Sequence, residues 1–306
     1  MTQPTMNRRT FVKGSLAASA MAALAACGKK GGDTTSAASG SAAEGGTLSY
    51  YINNPSAIDP YDLEEDQGMM VGYQLFDALT TYDYTKNELV GLAAESWDVN
   101  DAADEFTFHL VKGAKFHDGT TVTSKSFKQG WERILNPKTS TEHASAIGYH
   151  LAMVDGYSEL SAGDAEELKG VTCPDDDTLV VKLTQSYADF PYVCMHPALS
   201  PVPDCALEDF DTFFFAPVGN GPFKMDGKWE DGQQINLVRF DDYSYGDKAI
   251  LDGIHFNIQK DVQTAYTEFQ AGNLDVAQVP PPSSRTPSPS TASPRTATRP
   301  PRARRS

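Results

Sequence analysis

The sequence predicts a mixed α/β (α+β) fold for residues 47–279, and three observations predict it. Short runs of alternating apolar residues recur through this stretch, apolar residues at helical spacing lie between them, and turn formers punctuate the two. The composition changes on either side. Residues 1–46 are rich in Ala, Gly and Ser, and residues 280–306 contain only Pro, Ser, Arg, Thr and Ala.

Thr47-Leu48-Ser49-Tyr50-Tyr51-Ile52 reads as a strand closed by the turn formers Asn53-Asn54-Pro55. Met69, Met70, Tyr73, Leu75, Phe76 and Leu79 recur at roughly helical spacing. Phe106–Val111 alternates and reads as a strand. Thr123 or Ser124 can cap a helix whose Phe127, Trp131, Ile134 and Leu135 form one apolar stripe, ended by Asn136-Pro137. Leu179–Leu183 and Ile235–Val238 are further strands, and Val262, Ala265, Tyr266 and Phe269 make a last helix face that stops at Gly272.

The first 26 residues read as an export address. Arg8 and Arg9 precede Phe11-Val12-Lys13 and an Ala-rich apolar run, Gly14–Ala26, too short to span a bilayer as a stable helix. The string resembles the twin-arginine export signal, which is read by a receptor and is not an anchor. Leu24-Ala25-Ala26-Cys27 resembles a lipobox, which would make Cys27 the lipidated N-terminus after cleavage. Residues 27–46 then form a flexible Gly/Ser/Ala/Thr tether. The expected place is the outer face of the cytoplasmic membrane, on the cell-envelope or periplasmic side.

Residues 47–279 carry 14 Lys and Arg against 39 Asp and Glu. Such a surface repels phosphate backbones and excludes nucleic acid as a partner of the body. The charge serves solubility, or lines a cleft that attracts cationic or amine-bearing solutes. Catalytic motifs are not legible. His117-Asp118 sits before Gly119 and reads as a turn, with no G-x-S-x-G elbow to complete a triad. No H-E-x-x-H, C-x-x-C, P-loop or dinucleotide fingerprint occurs, so no metal or cofactor is expected. Cys194 and Cys205 can close a disulfide across Pro197–Pro203, or remain free thiols with Cys173.

Six collinear segments between Thr47 and Val279 resemble the peptide-type (oligopeptide and dipeptide) extracellular solute-binding proteins of ABC importers. They are Ile58-Asp59-Pro60, Leu75-Phe76-Asp77-Ala78-Leu79, Leu92-Ala93-Ala94-Glu95-Ser96-Trp97, Phe106–Leu110 through Phe116–Thr123, Gly219-Asn220-Gly221-Pro222-Phe223, and Leu274-Asp275. The resemblance implies a two-lobed periplasmic-binding-protein type II-like fold, the first lobe carrying a smaller insertion over about 77–199. It implies a monomer that binds an extended peptide and presents it to permease subunits in the membrane, with no enzymatic activity. Peptide backbone would be held by main-chain hydrogen bonds and by charges at its termini. Glu64, with Glu65 and Asp66 beside it, stands where the family has a cleft acid, and His143 where it has a cleft aromatic.

The likeness ends at Val279 in this reading. A segment with 8 Pro, 6 Ser, 6 Arg, 4 Thr and 3 Ala has nothing with which to build a core and is expected to be disordered. Codons exist for Pro282–Arg299 that, read two bases on, spell a stretch with an apolar stripe and restored acids. A frameshift replacing the second lobe is therefore expected, with weak or absent peptide binding and a tendency to aggregate. The competing classes are an exported hydrolase, which lacks a legible acid/base or nucleophile pair, and a structural envelope protein held to wall anions by the Arg-rich tail.

Overall fold

Leu48, Tyr50 and Ile52 face one side of the first strand and Tyr51 the other, so this short run must be covered on both faces. The computed structural model describes residues 44–140 and 143–281. In it β1 (Thr47–Ile52) pairs in parallel with β10 (Gly253–Ile258), which pairs antiparallel with β9 (Gln234–Arg239), and β9 with β8 (Phe223–Met225). Helix α1 (Asp66–Leu75) packs Val71 and Leu75 against Ile52, Ile235 and Leu237 of this sheet. The opposite face meets α7 (Val262–Ala271) through Tyr51, Ala265 and Leu274. Gly272 ends α7 in the left-handed region, φ 83°, where glycine carries no Cβ penalty. The chain then returns to the free edge of β1, where Tyr51 N–H donates to the Val276 carbonyl at 3.3 Å.

Between α1 and β8 the chain builds a second body. A hairpin of β2 (Thr80–Asp83) and β3 (Glu88–Gly91) leads into an antiparallel sheet. Its order is β4 (Ala94–Val99), β5 (Glu105–Leu110), β7 (Thr178–Lys182), β6 (Val171–Asp175). Phe106, Phe108 and Leu110 alternate inward from β5, and α2 (Ser124–Leu135) lays Phe127, Trp131 and Ile134 into the same core. Thr123 caps α2 in a box with Ser126, and Trp131 Nε1–H donates to the Leu199 carbonyl at 2.9 Å. Short helices α3 (Tyr157–Ser161) and α4 (Phe190–Val193) close this core, and α5 (Cys205–Glu208) and α6 (Phe210–Phe215) lead back to the first sheet.

The two crossings between the bodies lie side by side. Asp77 N–H donates to Asn220 Oδ1 at 2.9 Å, and Asn220 Nδ2 donates to the Asp77 carbonyl at 2.9 Å and to Tyr245 Oη at 3.2 Å. Tyr243 Oη–H donates to Asp77 Oδ2 at 2.6 Å. A side chain on Gly219 would collide with the Leu75 carbonyl, and a Cβ on Gly221 would stand 2.6 Å from the Leu75 carbonyl carbon.

Two expectations change. The helical stripe that starts at Met69 stops at Leu75: Phe76 is extended (φ −134°, ψ 136°), and Leu79 belongs to the core of the second body. The chain must turn there to leave the first sheet. Cys194 and Cys205 are free thiols, because Cys194 is sealed in the core of the second body while Cys205 packs with Val202 and Ala206 in a separate cluster. Cys27, the export signal and residues 282–306 lie outside the described residues.

Candidate ligand-binding site

Two loops meet at the boundary of the two bodies. The first follows β1: Asp59 accepts the Tyr61 N–H at 2.9 Å and starts a single helical turn, Pro60–Asp62, whose fixed proline φ favours that geometry. The second follows α2, from Asn136 to Gly148. Tyr61 Oη–H donates to the His143 carbonyl at 2.8 Å, and the Ala146 N–H donates to Asp62 Oδ1 at 2.7 Å. The His143 ring lies over Phe214 (5.2 Å, 15° between planes) and Phe210 (5.9 Å, 18°), and Phe214 continues to Trp229 at 6.4 Å. A cleft of about 400 Å³ opens beside these groups, lined by Tyr61, Ser140, Ala144, Ala146, Tyr149 and Tyr157 among others.

Beneath both loops sits Arg133 of α2. Its Nη1 and Nη2 donate to the two Asp59 oxygens at 2.7 and 2.6 Å, and its Nε to the Ala206 carbonyl at 3.0 Å. The guanidinium carbon lies 5.2, 5.0 and 5.1 Å from the ring centres of Tyr61, Phe210 and Phe213. Asp59 is 0% and Arg133 3% exposed, so this is a wholly buried ion pair with fork geometry.

The expected acids part company. Glu65 caps α1, its carboxylate accepting from Gln67 N–H at 2.7 Å, Gly68 N–H at 2.6 Å and Ser56 N–H at 3.2 Å. Asp66 is exposed in the first turn of α1, where a negative charge suits the helix dipole. Glu64 is exposed next to the Tyr61–Asp62 turn. The loop also supplies Asp62, which sequence reasoning missed. Burial raises its carboxyl pKa, with Glu64 and Asp59 adding to the rise and the Ala146 N–H and His143 opposing it. Its sequence signal is the Asp-Pro-Tyr-Asp string, which starts a helical turn and brings a second acid back to the same side. Exposed and half-buried carboxylates beside a stacked aromatic shelf can attract a cation or an amine and pack an apolar group against it.

His117 serves structure. Its Nδ1 accepts the Gly219 N–H at 3.0 Å, Nε2 lies 3.1 Å from the Gly221 carbonyl, and burial pushes its pKa down to about 4. Asp118 turns away to Thr120, accepting its N–H at 2.8 Å and its hydroxyl at 2.6 Å. Among the described residues, no group of three or more His, Cys, Asp or Glu side chains is placed to hold a metal ion.

Residues 88–301 match the family model for the middle region of bacterial extracellular solute-binding proteins, family 5, running past the Val279 at which the sequence likeness was expected to end. Residues 5–25 match a twin-arginine translocation signal. The periplasmic oligopeptide-binding protein OppA of Escherichia coli K12 is 31% identical over 224 residues, 72% of this chain and 40% of that protein. The dipeptide-binding protein DppE of Bacillus subtilis 168 is 31% identical over 75% of this chain and 42% of its own length. The chain thus spans about two fifths of the length of the curated relatives it matches. Among solved structures, Haemophilus influenzae OppA in complex with the peptide RPPGFSPFR superposes with a TM-score of 0.67 at 27% identity, over 76% of this chain and 46% of that one. The open form of the murein tripeptide binding protein MppA gives a TM-score of 0.68 at 26% identity, over 76% and 45%. With the family model covering most of its length, the chain is an exported member of the family 5 bacterial extracellular solute-binding proteins, and its fold is that of the type II periplasmic binding proteins.

Proposed function

We propose that this chain is a peptide-capturing component of an ABC importer, tethered outside the membrane by lipid on Cys27 and delivering its load to permease subunits. The observation that carries the reading is the meeting of the Tyr61–Glu64 loop with His143–Ala146 in a chain whose relatives bear the names of oligopeptide- and dipeptide-binding proteins. In this reading the export signal occupies residues 1–26, the tether 27–46 and the binding body 47–279. The body acts as a monomer, without cofactor or catalysis. Asp62 and Glu64 receive the ammonium end of the peptide, and the His143–Phe214 shelf receives a side chain.

The test is a titration of the purified chain with the tripeptide Lys-Ala-Lys, followed by amide chemical shifts, which register even millimolar contacts. Shifts confined to residues 61–64 and 143–148, and reduced by Asp62→Asn with Glu64→Gln, are expected. No shifts, or shifts elsewhere, would sink the assignment. The anchor is tested separately: cells fed a clickable fatty acid should label the wild-type chain and not Cys27→Ala.

A further inference from the structure

We infer that Arg133 is a positioning residue for the ligand site: it touches no solute, and it fixes the distance between the two loops that do. The inference rests on the site reading above and adds to it a residue on a different element from either loop. The contacts of Arg133 and of its neighbours make the case. Arg133 holds both oxygens of Asp59, and Asp59 Oδ1 also accepts the Tyr61 N–H, so the guanidinium sets the direction in which the Pro60–Asp62 turn departs. Its faces are enclosed by Tyr61, Phe210 and Phe213. Phe210 in turn stacks on His143, and Tyr61 donates to the His143 carbonyl. The third donor, Nε, anchors the Ala206 carbonyl just before α6, the helix that carries Phe210 and Phe214.

A lysine cannot take this place. It offers a point charge and no planar fork, so it can meet one Asp59 oxygen while leaving the Ala206 carbonyl and the aromatic stack unheld. A buried pair of this kind does not by itself establish a stabilising role, since apolar residues of similar volume often replace such pairs without loss of stability. What apolar residues cannot replace is the set of directions.

The experiment is residue-resolved hydrogen exchange on the full chain, which needs no ligand. Exchange therefore tests the coupling even if the peptide reading fails. Wild type is compared with Arg133→Lys and with the double variant Asp59→Leu/Arg133→Met, which leaves no uncompensated buried charge. The expected result is at least a tenfold faster exchange of the Ala146 amide in both variants and of the Tyr61 amide in Arg133→Lys, while Phe106, Phe108, Val180 and Ile235 keep wild-type protection. Tyr61 is not read in the double variant, where Asp59→Leu removes its acceptor. Two results would overturn the inference: unchanged exchange at Ala146 in a folded variant, or an equal acceleration at Ala146 and the four core amides. If the double variant does not fold, the Arg133→Lys comparison decides alone.

Discussion

The two bodies of this chain are made of similar residues and close very differently. In the second body, Phe106, Phe108, Phe127, Trp131 and Phe190 are all wholly buried around one core. In the first, α1 covers only part of the sheet. A groove of about 400 Å³ lined by Leu48, Tyr50, Met70, Tyr73, Ile254 and Phe256 stays open, with Tyr73 49% exposed. The difference follows from sequence distance. The second body draws its strands and covering helix from one unbroken stretch, so its apolar faces meet nearly all their partners within that stretch, Leu63 and Tyr245 being the buried additions from outside. The first joins β1 to β10, some two hundred residues away, and the helices on its faces are ten residues long. Contiguity makes a core self-sufficient; an assembled sheet depends on whatever else reaches it.

The sharpest way to break this contrast is Trp131→Ala. It removes the largest wholly buried side chain of the closed core and strips the Leu199 carbonyl of its donor, and a loss of about 3–5 kcal/mol is expected in urea unfolding. Acid should act next. His117 titrates near 4 when folded and near 6.5 when unfolded, so between these values the unfolded chain binds a proton that the folded chain refuses. Stability is therefore fully present above about pH 6.5 and falls by up to about 3 kcal/mol as pH drops to 4. His196, also pushed down to about 4, adds to the loss.

Asp77 works in the opposite sense. Burial raises its carboxyl from 3.8 to about 7, so its contribution is complete below about 4 and is lost as pH rises through 7. Asp77→Asn should remove that decline, leaving a profile that rises steadily from pH 4 to 7, as read by thermal unfolding across the range. The smallest effect on stability belongs to the open groove. Tyr73→Ser should change unfolding free energy by no more than about 0.5 kcal/mol. The same change should lower the binding of an apolar dye, and an unchanged dye signal would mean that the groove is not the apolar surface the chain offers to solvent.

Helix α2 was legible because its apolar stripe, a cap at Thr123 or Ser124 and its Asn136-Pro137 stop all agree, and the structure puts the cap at Thr123. β1, β5, β7 and β9 were legible from alternation. The hairpin β2–β3 and strand β4 were not: Glu88, Glu95 and Asp98 interrupt their apolar pattern, and pairing with neighbouring strands defines them. Glu64 and His143 are candidate site residues on family likeness alone. That Glu65 caps a helix could not be told, since an acid before a helix and an acid before a ligand read alike. Arg133 has a signal in the sequence, a charge between Trp131 and Ile134 inside the apolar stripe of α2.

The junction at Asp77 and Asn220 has a consequence for how such a chain can change. The polypeptide leaves the first sheet and re-enters it through a doorway one hydrogen-bonded pair wide. Most of what lies between those two residues forms the second body, while Phe214 from the same stretch packs into the core of the first sheet and Arg133 holds Asp59 outside it. The sheet and loops remote from these contacts can change in length and shape while the strand order of the sheet outside stays as it is, because neither crossing has to move. Diversification is thereby channelled into one part, and the doorway, with the Phe214 and Arg133 contacts, is what such replacements must preserve.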